Sequence, residues 1–123
     1  MSKIILLTSG TVQMEAELNE SETAALILDK LPISGTVNTW GDEIYFPIPV
    51  EAEAENAATL VDEGDLAYWP EGKCFCIFFG PTPASKGSEI RPASPVNLLG
   101  RLKGDPKLWE KVEPGSTIKL EKA

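Results

Sequence analysis

Residues 64–80 read GDLAYWPEGKCFCIFFG, and this stretch ends in an uninterrupted apolar run, Cys74–Phe79. A run of this length between turn residues is typical of a β-strand that is buried on both faces. Upstream, Leu66–Trp69 has the composition of a short strand, and Pro70–Gly72 supplies a turn between the two. The stretch therefore predicts two strands of a β-rich domain.

The chain before this stretch continues in strand-like patterns. Lys3–Thr8 is rich in Ile and Leu, and after a Ser-Gly turn Thr11–Leu18 alternates between apolar and polar residues, which predicts a β-hairpin. Ile33–Trp40 and Glu43–Val50 are also expected to be extended. The prolines of the second of these segments favour a position at a sheet edge, because proline has no N–H to donate to a neighbouring strand.

The chain after residue 80 begins with a long loop. Gly80–Pro95 contains four of the ten prolines and is expected to lie on the surface, where loops of this length often carry function. Val96–Leu102 and Ser116–Leu120 predict two further strands. Short strands at fairly even spacing, without βαβ alternation, predict a mostly β fold with a single closed barrel.

Two helices are expected to accompany the barrel, at residues of about 20–31 and 105–112. Asn19 or Ser21 can cap the first helix. Its apolar stripe follows the helical spacing i, i+3, i+4 and i+7, at Ala24, Ile27, Leu28 and Leu31. The second helix is expected to begin at the Gly-Asp-Pro of residues 104–106 and to present one apolar face, formed by Leu108, Trp109 and Val112.

Length and composition fit one domain over residues 1–123. The chain is 42% hydrophobic and 24% charged. A chain of this size can bury about two-thirds of its surface, so a core is feasible without a metal or a disulfide. The formal net charge of −8 repels phosphate backbones and anionic lipids, so neither nucleic acid nor a membrane is expected as a partner.

Histidine is absent, which excludes His-based triads, Cys-His nucleophiles and His-liganded zinc. Cys74 and Cys76 lack the C-x-x-C spacing of redox and zinc sites, and we interpret them as reduced core residues, which suits a reducing compartment. No metal or cofactor is therefore expected. The N-terminus shows no signal-peptide pattern, and no apolar run is long enough to span a membrane, so the cytoplasm is the expected location.

Five short motifs are spread along the chain: Trp40–Phe46 (WGDEIYF), Gly64–Pro70 (GDLAYWP), Phe78–Pro83 (FFGPTP), Pro95–Asn97 (PVN) and Val96–Asp105 (VNLLGRLKGD). The last of these, with the helix that follows it, resembles the C-terminal stretch of the cyclophilins, and the Cys74–Phe79 run is similar to the Phe-Phe-Ile core strand of that family. The order and spacing of the first four motifs is similar to a small prokaryotic family of cyclophilin-like proteins. The resemblance covers nearly the whole chain and implies a minimal cyclophilin-like β-barrel, without an established biochemical activity.

The residues that carry prolyl isomerase activity in cyclophilins do not match this chain. Those enzymes place an Arg from a Phe-His-Arg motif and a Gln from a Gln-Gly-Gly-Asp motif beside a proline pocket, and neither motif occurs here. The corresponding region by order, Trp40–Pro49, offers Trp, Asp, Glu and Tyr instead. We therefore expect the barrel without efficient isomerase activity.

The candidate ligand site combines aromatic residues with the proline-rich loop, at the end of the barrel. Glu43 shares a strand face with Tyr45, and a carboxylate beside aromatic surface can have a raised pKa. In the loop, Thr82 and Ser85 offer hydroxyls, and Arg91 could bind an anionic group. The predicted ligand-binding residues are Trp40, Glu43, Tyr45, Phe46, Tyr68, Trp69, Phe79, Thr82, Ser85 and Arg91.

Each of these groups also has a structural interpretation. Aromatic rings in a small barrel are usually core residues, Glu43 can be an exposed residue beside a turn, and prolines can make the loop a rigid connector. If these residues do form a site, the leading hypothesis is that the protein is a module that binds a peptide or a small molecule with an apolar part. The alternatives are an enzyme, either a weak prolyl isomerase or a hydrolase using Glu43 with Arg91, and an assembly subunit that forms a homodimer through exposed strand edges.

Overall fold

In the computed structural model, which describes residues 3–123, the N-terminal hairpin forms as predicted. Strand β1 (Lys3–Ser9) pairs with β2 (Val12–Leu18) in an antiparallel register that places Leu7 opposite Met14. Alternate residues of β2 are buried, so the period-two pattern of the sequence marks its core face. Met1 and Ser2, the first residues of the N-terminal run, lie outside the described residues.

Seven further strands complete one antiparallel sheet. They are β3 (Ile33–Thr36), β4 (Asn38–Thr39), β5 (Glu43–Pro47), β6 (Asp65–Trp69), β7 (Cys74–Phe78), β8 (Asn97–Leu102) and β9 (Thr117–Lys122). The strand order of the sheet is β3-β9-β1-β2-β8-β6-β7-β5-β4. Every pairing between neighbouring strands in the described part of the chain is antiparallel.

One short segment closes this sheet into a nearly complete barrel. The two outermost strands, β3 and β4, are separated in the chain only by Val37. The Val37 N–H donates to the Ser116 carbonyl at 2.8 Å, on the β9 side, whereas the next residues pair with β5. The segment from residue 33 to residue 39 therefore bonds to β9 with its first half and to β5 with its second. The predicted mostly β barrel is confirmed.

The barrel interior is filled by apolar side chains that alternate with outward-facing ones. Ile44 and Phe46 of β5, Tyr68 of β6 and Phe75 of β7 all belong to this main core. At the closure, a Cβ on Gly35 would lie 2.7 Å from the Cδ2 atom of Phe46, so the Phe46 ring occupies the space that a side chain on β3 would need. The Phe46 ring therefore fills the barrel interior at this point of the closure.

Strand β7 is buried on both faces, as the apolar run predicts. Its outward residues Cys74, Cys76 and Phe78 belong to a second, smaller core with Val61 and Ile90. Two chain segments cover this outer face, and they are tied together by isolated bridges between residues 58 and 96 and between residues 61 and 90. The outer face of β7 is therefore covered by the loop before β6 and the loop before β8.

Helix α1 (Glu22–Lys30) forms close to its predicted bounds, and Ser21 caps it by accepting a hydrogen bond from the Ala24 N–H. The second helix is a 3-10 helix, Pro106–Lys111, capped by Asp105. Its predicted three-residue apolar face is wrong. With three residues per turn, residues 109 and 112 share a face and are buried, whereas Leu108 turns outward and is 39% exposed.

The edge position expected for residues 43–50 is correct only for their second half. Strand β5 is next to the end of the sheet, because the two-residue strand β4 pairs with Ile44 and Tyr45. Pro47 lies beyond that pairing. The Ile48 N–H donates to Lys73 at 3.0 Å, toward β7, so the position without an N–H at Pro47 faces the unpaired side. No helix among residues 3–123 has the length and apolar character needed to cross a membrane.

Candidate functional site

An apolar cavity of about 260 Å³ lies on the outer wall of the barrel, where β5 and β6 face the end of the proline-rich loop. The sequence predicted a site at the end of the barrel, whereas this cavity lies on the outer face of β5. The turn that begins at Trp40 and the proline-rich loop do meet there. The lining residues are Trp40, Glu43, Tyr45, Trp69, Pro92, Ala93 and Val96.

The pleat of β5 places two of these residues on the cavity side. Ile44 and Phe46 point into the main core, so Glu43 and Tyr45, one residue out of step, point to the outer face. Tyr45 lies opposite Cys76 of β7. Because cysteine is small, the larger rings on either side of β7 can approach each other over it.

Trp69, at the end of β6, forms the neighbouring wall. Its ring and that of Tyr45 have centroids 6.4 Å apart and planes at 84°, an edge-to-face pair. The Trp69 indole N–H donates to the Ser94 hydroxyl at 2.6 Å. Residues 58 and 96 exchange two backbone hydrogen bonds of 2.8 and 3.0 Å. These contacts hold the loop wall, formed by Pro92, Ala93 and Val96, against the aromatic wall, formed by Trp40, Tyr45 and Trp69.

A tight turn presents Trp40 to the cavity. The Trp40 N–H donates to the Glu43 carbonyl at 2.9 Å, and the Asp42 N–H donates to the Pro81 carbonyl at 2.9 Å. Gly41 has a φ of +62°, and a Cβ there would meet Pro83 at 2.8 Å. The turn thus requires glycine both for its backbone conformation and for its close approach to the loop.

Glu43 is the buried polar group of the site, with 6% of its surface exposed. Burial raises its pKa from 4.5 to about 7, and a hydrogen bond with the Cys76 thiol opposes this only in part. None of the ion pairs found among residues 3–123 includes Glu43. Near neutral pH this carboxyl group can therefore be either neutral or ionised.

Both cysteines beside Glu43 are buried free thiols. Burial, followed by the nearby Glu43 charge, raises the pKa of Cys76 well above 9 and also raises the pKa of Cys74. The thiols are therefore neutral at physiological pH and poor nucleophiles. Among the described residues, no group of three or more His, Cys, Asp or Glu side chains could hold a metal ion.

Three of the predicted site residues lie away from the cavity because they are buried in the fold. Phe46 and Tyr68 point into the barrel, where the Tyr68 hydroxyl donates to the Val50 carbonyl at 2.7 Å. Phe79 is 4% exposed, and its carbonyl accepts a hydrogen bond from Lys107 at 2.8 Å. For these rings the core interpretation describes the structure.

The three predicted polar residues of the loop bond to one another instead of lining the cavity. The Thr82 hydroxyl donates to the Arg91 carbonyl, and the Ser85 hydroxyl accepts the backbone N–H groups of both Thr82 and Arg91 at 2.9 and 3.0 Å. The Arg91 guanidinium pairs with Glu89 at 2.9 Å. These groups shape the loop, which agrees with the rigid-connector interpretation.

Sequence reasoning missed the loop residues that do line the cavity, Pro92, Ala93 and Val96. Their side chains are apolar and carry no chemical signature. The available signal was the proline-rich composition of the loop, which marks the region without marking individual positions. Of the ten predicted residues, the structure brings four together at the cavity: Trp40, Glu43, Tyr45 and Trp69.

Comparisons with known proteins agree with this architecture. The family model described as Cyclophilin-like matches residues 3–121. The solution structure of a hypothetical protein from Archaeoglobus fulgidus is similar to this chain, with 41% sequence identity and a TM-score of 0.85, over 99% of this chain and 95% of that one. A comparison with curated proteins gave no match.

Proposed function

The chain belongs to the cyclophilin-like family, and we propose that it is a binding module that holds a peptide or a small molecule in the outer-wall cavity. The ligand has an apolar part, which contacts the aromatic wall. Family membership accounts for the barrel, whereas the proposed site depends on the particular side chains of this protein.

The observation that carries the proposal is the grouping of Trp40, Tyr45 and Trp69 around one cavity, with all three rings only partly buried. Large aromatic side chains provide much of the binding energy at recognition sites, since they bury a large apolar area with few rotatable bonds. In the absence of a ligand, part of this apolar surface remains exposed to water. A ligand that covers it gains free energy from its burial.

The size of the cavity limits the ligand. About 260 Å³ is slightly below the range of about 300–1,000 Å³ that is typical of drug-sized ligands. The cavity therefore suits a small metabolite or one side chain of a peptide. A peptide would bind with one anchoring residue, and the rest of it would lie along the surface of the loop.

Efficient prolyl isomerisation is not part of this proposal. The polar group inside the cavity is the carboxyl of Glu43, and Arg91 is held outside by Glu89. The site thus lacks, among its lining residues, the guanidinium that the cyclophilin enzymes place beside a proline. The family fold without these groups favours binding over isomerase catalysis.

A titration with peptide and metabolite libraries, followed by backbone NMR chemical shifts, tests the proposal. We expect ligands that shift residues 40–45, 69 and 92–96. A Trp40→Ala variant should weaken these ligands, whereas Leu108→Ala, which also truncates an exposed apolar residue but outside the cavity, should not. Shifts confined to other surfaces, or equal affinity of both variants, would contradict the proposal.

A second candidate is an enzyme that uses Glu43 as a general acid or base. The observation in its favour is the pKa of about 7, because proton transfer is most efficient when the pKa of the catalytic group is close to the working pH. The sequence suggested Arg91 as the anion-binding partner of Glu43, but Arg91 pairs with Glu89 and does not line the cavity. A screen of hydrolytic substrates with wild type and Glu43→Gln decides between the two candidates, since only an enzyme would show turnover that the substitution abolishes.

A further inference from the structure

Resting on the proposed function of this cavity, we propose that its ligand is an alkylammonium cation, with the positive charge held by Glu43 and the alkyl groups held by the surrounding aromatic rings. The cation is a small free amine or the ammonium group of a lysine side chain in a peptide. Both share the same chemistry, a positively charged nitrogen with apolar substituents.

The first step is the charge of the site. Glu43 is 6% exposed and lines the cavity, and none of the lysine or arginine residues described in the structure forms an ion pair with it. Burying an ionised carboxylate costs free energy unless a positive charge accompanies it. A cationic ligand supplies that charge, and the formal net charge of −8 attracts cations from a distance.

The second step is the nature of the walls. An ammonium group within about 6 Å of an aromatic ring centroid is attracted by the electrons of the ring face, most strongly for Trp. The rings of Tyr45 and Trp69 lie nearly perpendicular, 6.4 Å apart, and Trp40 contributes a third ring to the same cavity. An anionic ligand would be repelled by the ionised Glu43, and a neutral ligand would not compensate its charge.

The third step is the remaining surface. The loop wall consists of Pro92, Ala93 and Val96, whose side chains offer alkyl contacts and no hydrogen bonds. A strongly hydrated cation such as a metal ion would lose its water ligands against such a wall without replacement. Alkylated nitrogen combines a charge for Glu43 with an apolar surface for the loop.

The protonation state of Glu43 supports this inference. The groups that face it from the packed elements are the neutral thiols of Cys74 and Cys76 on β7 and the Tyr45 ring on its own strand. The loop wall at residues 92–96 carries no ionisable side chain. Because burial raises the pKa of Glu43 to about 7, a cation should bind more tightly as the pH rises through this value, and should release a proton below it.

The test compares charged and uncharged probes of the same shape. Four probes are titrated at about pH 8, with the indole NMR signals as the readout. They are choline, its uncharged isostere 3,3-dimethylbutan-1-ol, n-butylammonium, and a lysine peptide whose termini are blocked by acetylation and amidation and whose side-chain ammonium is free. We expect choline to bind about tenfold or more tightly than its isostere, which corresponds to about 1.4 kcal/mol. Preference for the free amines or for the peptide then identifies the source of the cation.

Two variants with the same change of charge complete the experiment. Glu43→Gln should reduce choline affinity about tenfold or more and leave the isostere unaffected. Glu15→Gln removes an exposed carboxylate of β2 outside the cavity and should change neither. Unfolding curves and the indole signal of Trp109, which is buried in the main core, report whether the Glu43 variant is folded.

Three outcomes would overturn the inference. Equal affinity for choline and its isostere, with shifts at the cavity, would reject the cation and keep the binding function. Choline binding that Glu43→Gln leaves intact would place the charge recognition elsewhere. Failure of every cationic probe would also reject the inference, and the library titration would then decide separately whether the cavity binds ligands at all.

Discussion

The indole nitrogen of Trp69 lies 2.6 Å from the hydroxyl oxygen of Ser94, so a strand of the barrel and the loop opposite it are joined directly at the cavity. Trp69 comes from β6, which pairs with β7 and β8 in the barrel, whereas Ser94 belongs to a loop that bonds mainly to itself. This hydrogen bond fixes the orientation of a large ring with respect to the loop wall. The cavity therefore owes its shape to a contact between two elements that are distant in the sequence.

Removing this contact should loosen the site. Ser94→Ala is expected to lower the free energy of unfolding by about 1 kcal/mol, which is typical of one hydrogen bond, and to move the Trp69 indole NMR signal. Ser88→Ala, in an exposed part of the same loop, serves as the control and should have neither effect. Identical behaviour of the two variants would show that the Trp69–Ser94 bond is unimportant in solution.

The raised pKa of Glu43 should make stability depend on pH. The unfolded chain binds a proton at Glu43 with a pKa of 4.5 and the folded chain with a pKa of about 7, so the folded state holds the proton more tightly. The contribution to stability is complete below pH 4.5 and is lost as the pH rises through 7. It amounts to about 3 kcal/mol, because a tenfold change in a proton equilibrium corresponds to about 1.4 kcal/mol.

Urea unfolding at pH 5 and pH 8 measures this effect as the difference between wild type and Glu43→Gln. The wild type should lose more stability than the variant between the two pH values, since other ionisable groups titrate equally in both. Glu15→Gln should behave as the wild type. If Glu43→Gln follows the same pH dependence as the wild type, Glu43 titrates normally and the description of a buried carboxyl is wrong.

Barrel closure should be sensitive to the small space at Gly35. Gly35→Ala places a Cβ within 2.7 Å of the Phe46 ring and is expected to cost about 1–3 kcal/mol, the usual cost of overpacking a core. Phe46→Leu alone should also destabilise, through lost burial. The double variant should be more stable than the sum of both effects predicts, because the smaller side chain relieves the contact. Simple additivity in thermal unfolding would contradict this assignment of the closure.

Isomerase activity should be undetectable above background. In a protease-coupled prolyl isomerisation assay at high protein concentration, the rate is expected to equal the uncatalysed rate, because the cavity presents a carboxyl group and not the guanidinium of the enzymes. A known active cyclophilin in the same assay is the control. A rate that rises in proportion to the protein concentration, and that Trp40→Ala abolishes, would establish a weak isomerase instead.

The fold could be predicted from the sequence because its main patterns are local. The alternation in Thr11–Leu18 and the apolar run Cys74–Phe79 state directly which faces are buried. The 3-10 form of the second helix could not be predicted in the same way. Leu108 and Trp109 are both large apolar residues, and only the geometry of the helix decides which of them faces the core. Closure through Val37 depends on pairings between distant segments, which no local pattern specifies.

The site was predictable where one strand carries it. Glu43 and Tyr45 share a face by the period of a strand, and the same rule could have excluded Phe46, which lies one residue further on. Thr82, Ser85 and Arg91 misled the prediction because a hydroxyl or guanidinium gives the same signal whether it binds a ligand or its own loop. The ligand class, the homodimer and the cytoplasmic location stay predictions.

The central claim, that the outer-wall cavity is the binding site, is tested most directly by the three tryptophan indole NMR signals. Trp40 and Trp69 line the cavity, whereas Trp109 is buried in the main core. During titration with a ligand, the signals of Trp40 and Trp69 should shift together and saturate with one dissociation constant, while that of Trp109 remains in place. A ligand that binds without moving Trp40 and Trp69, or that moves Trp109 alone, would contradict the claim.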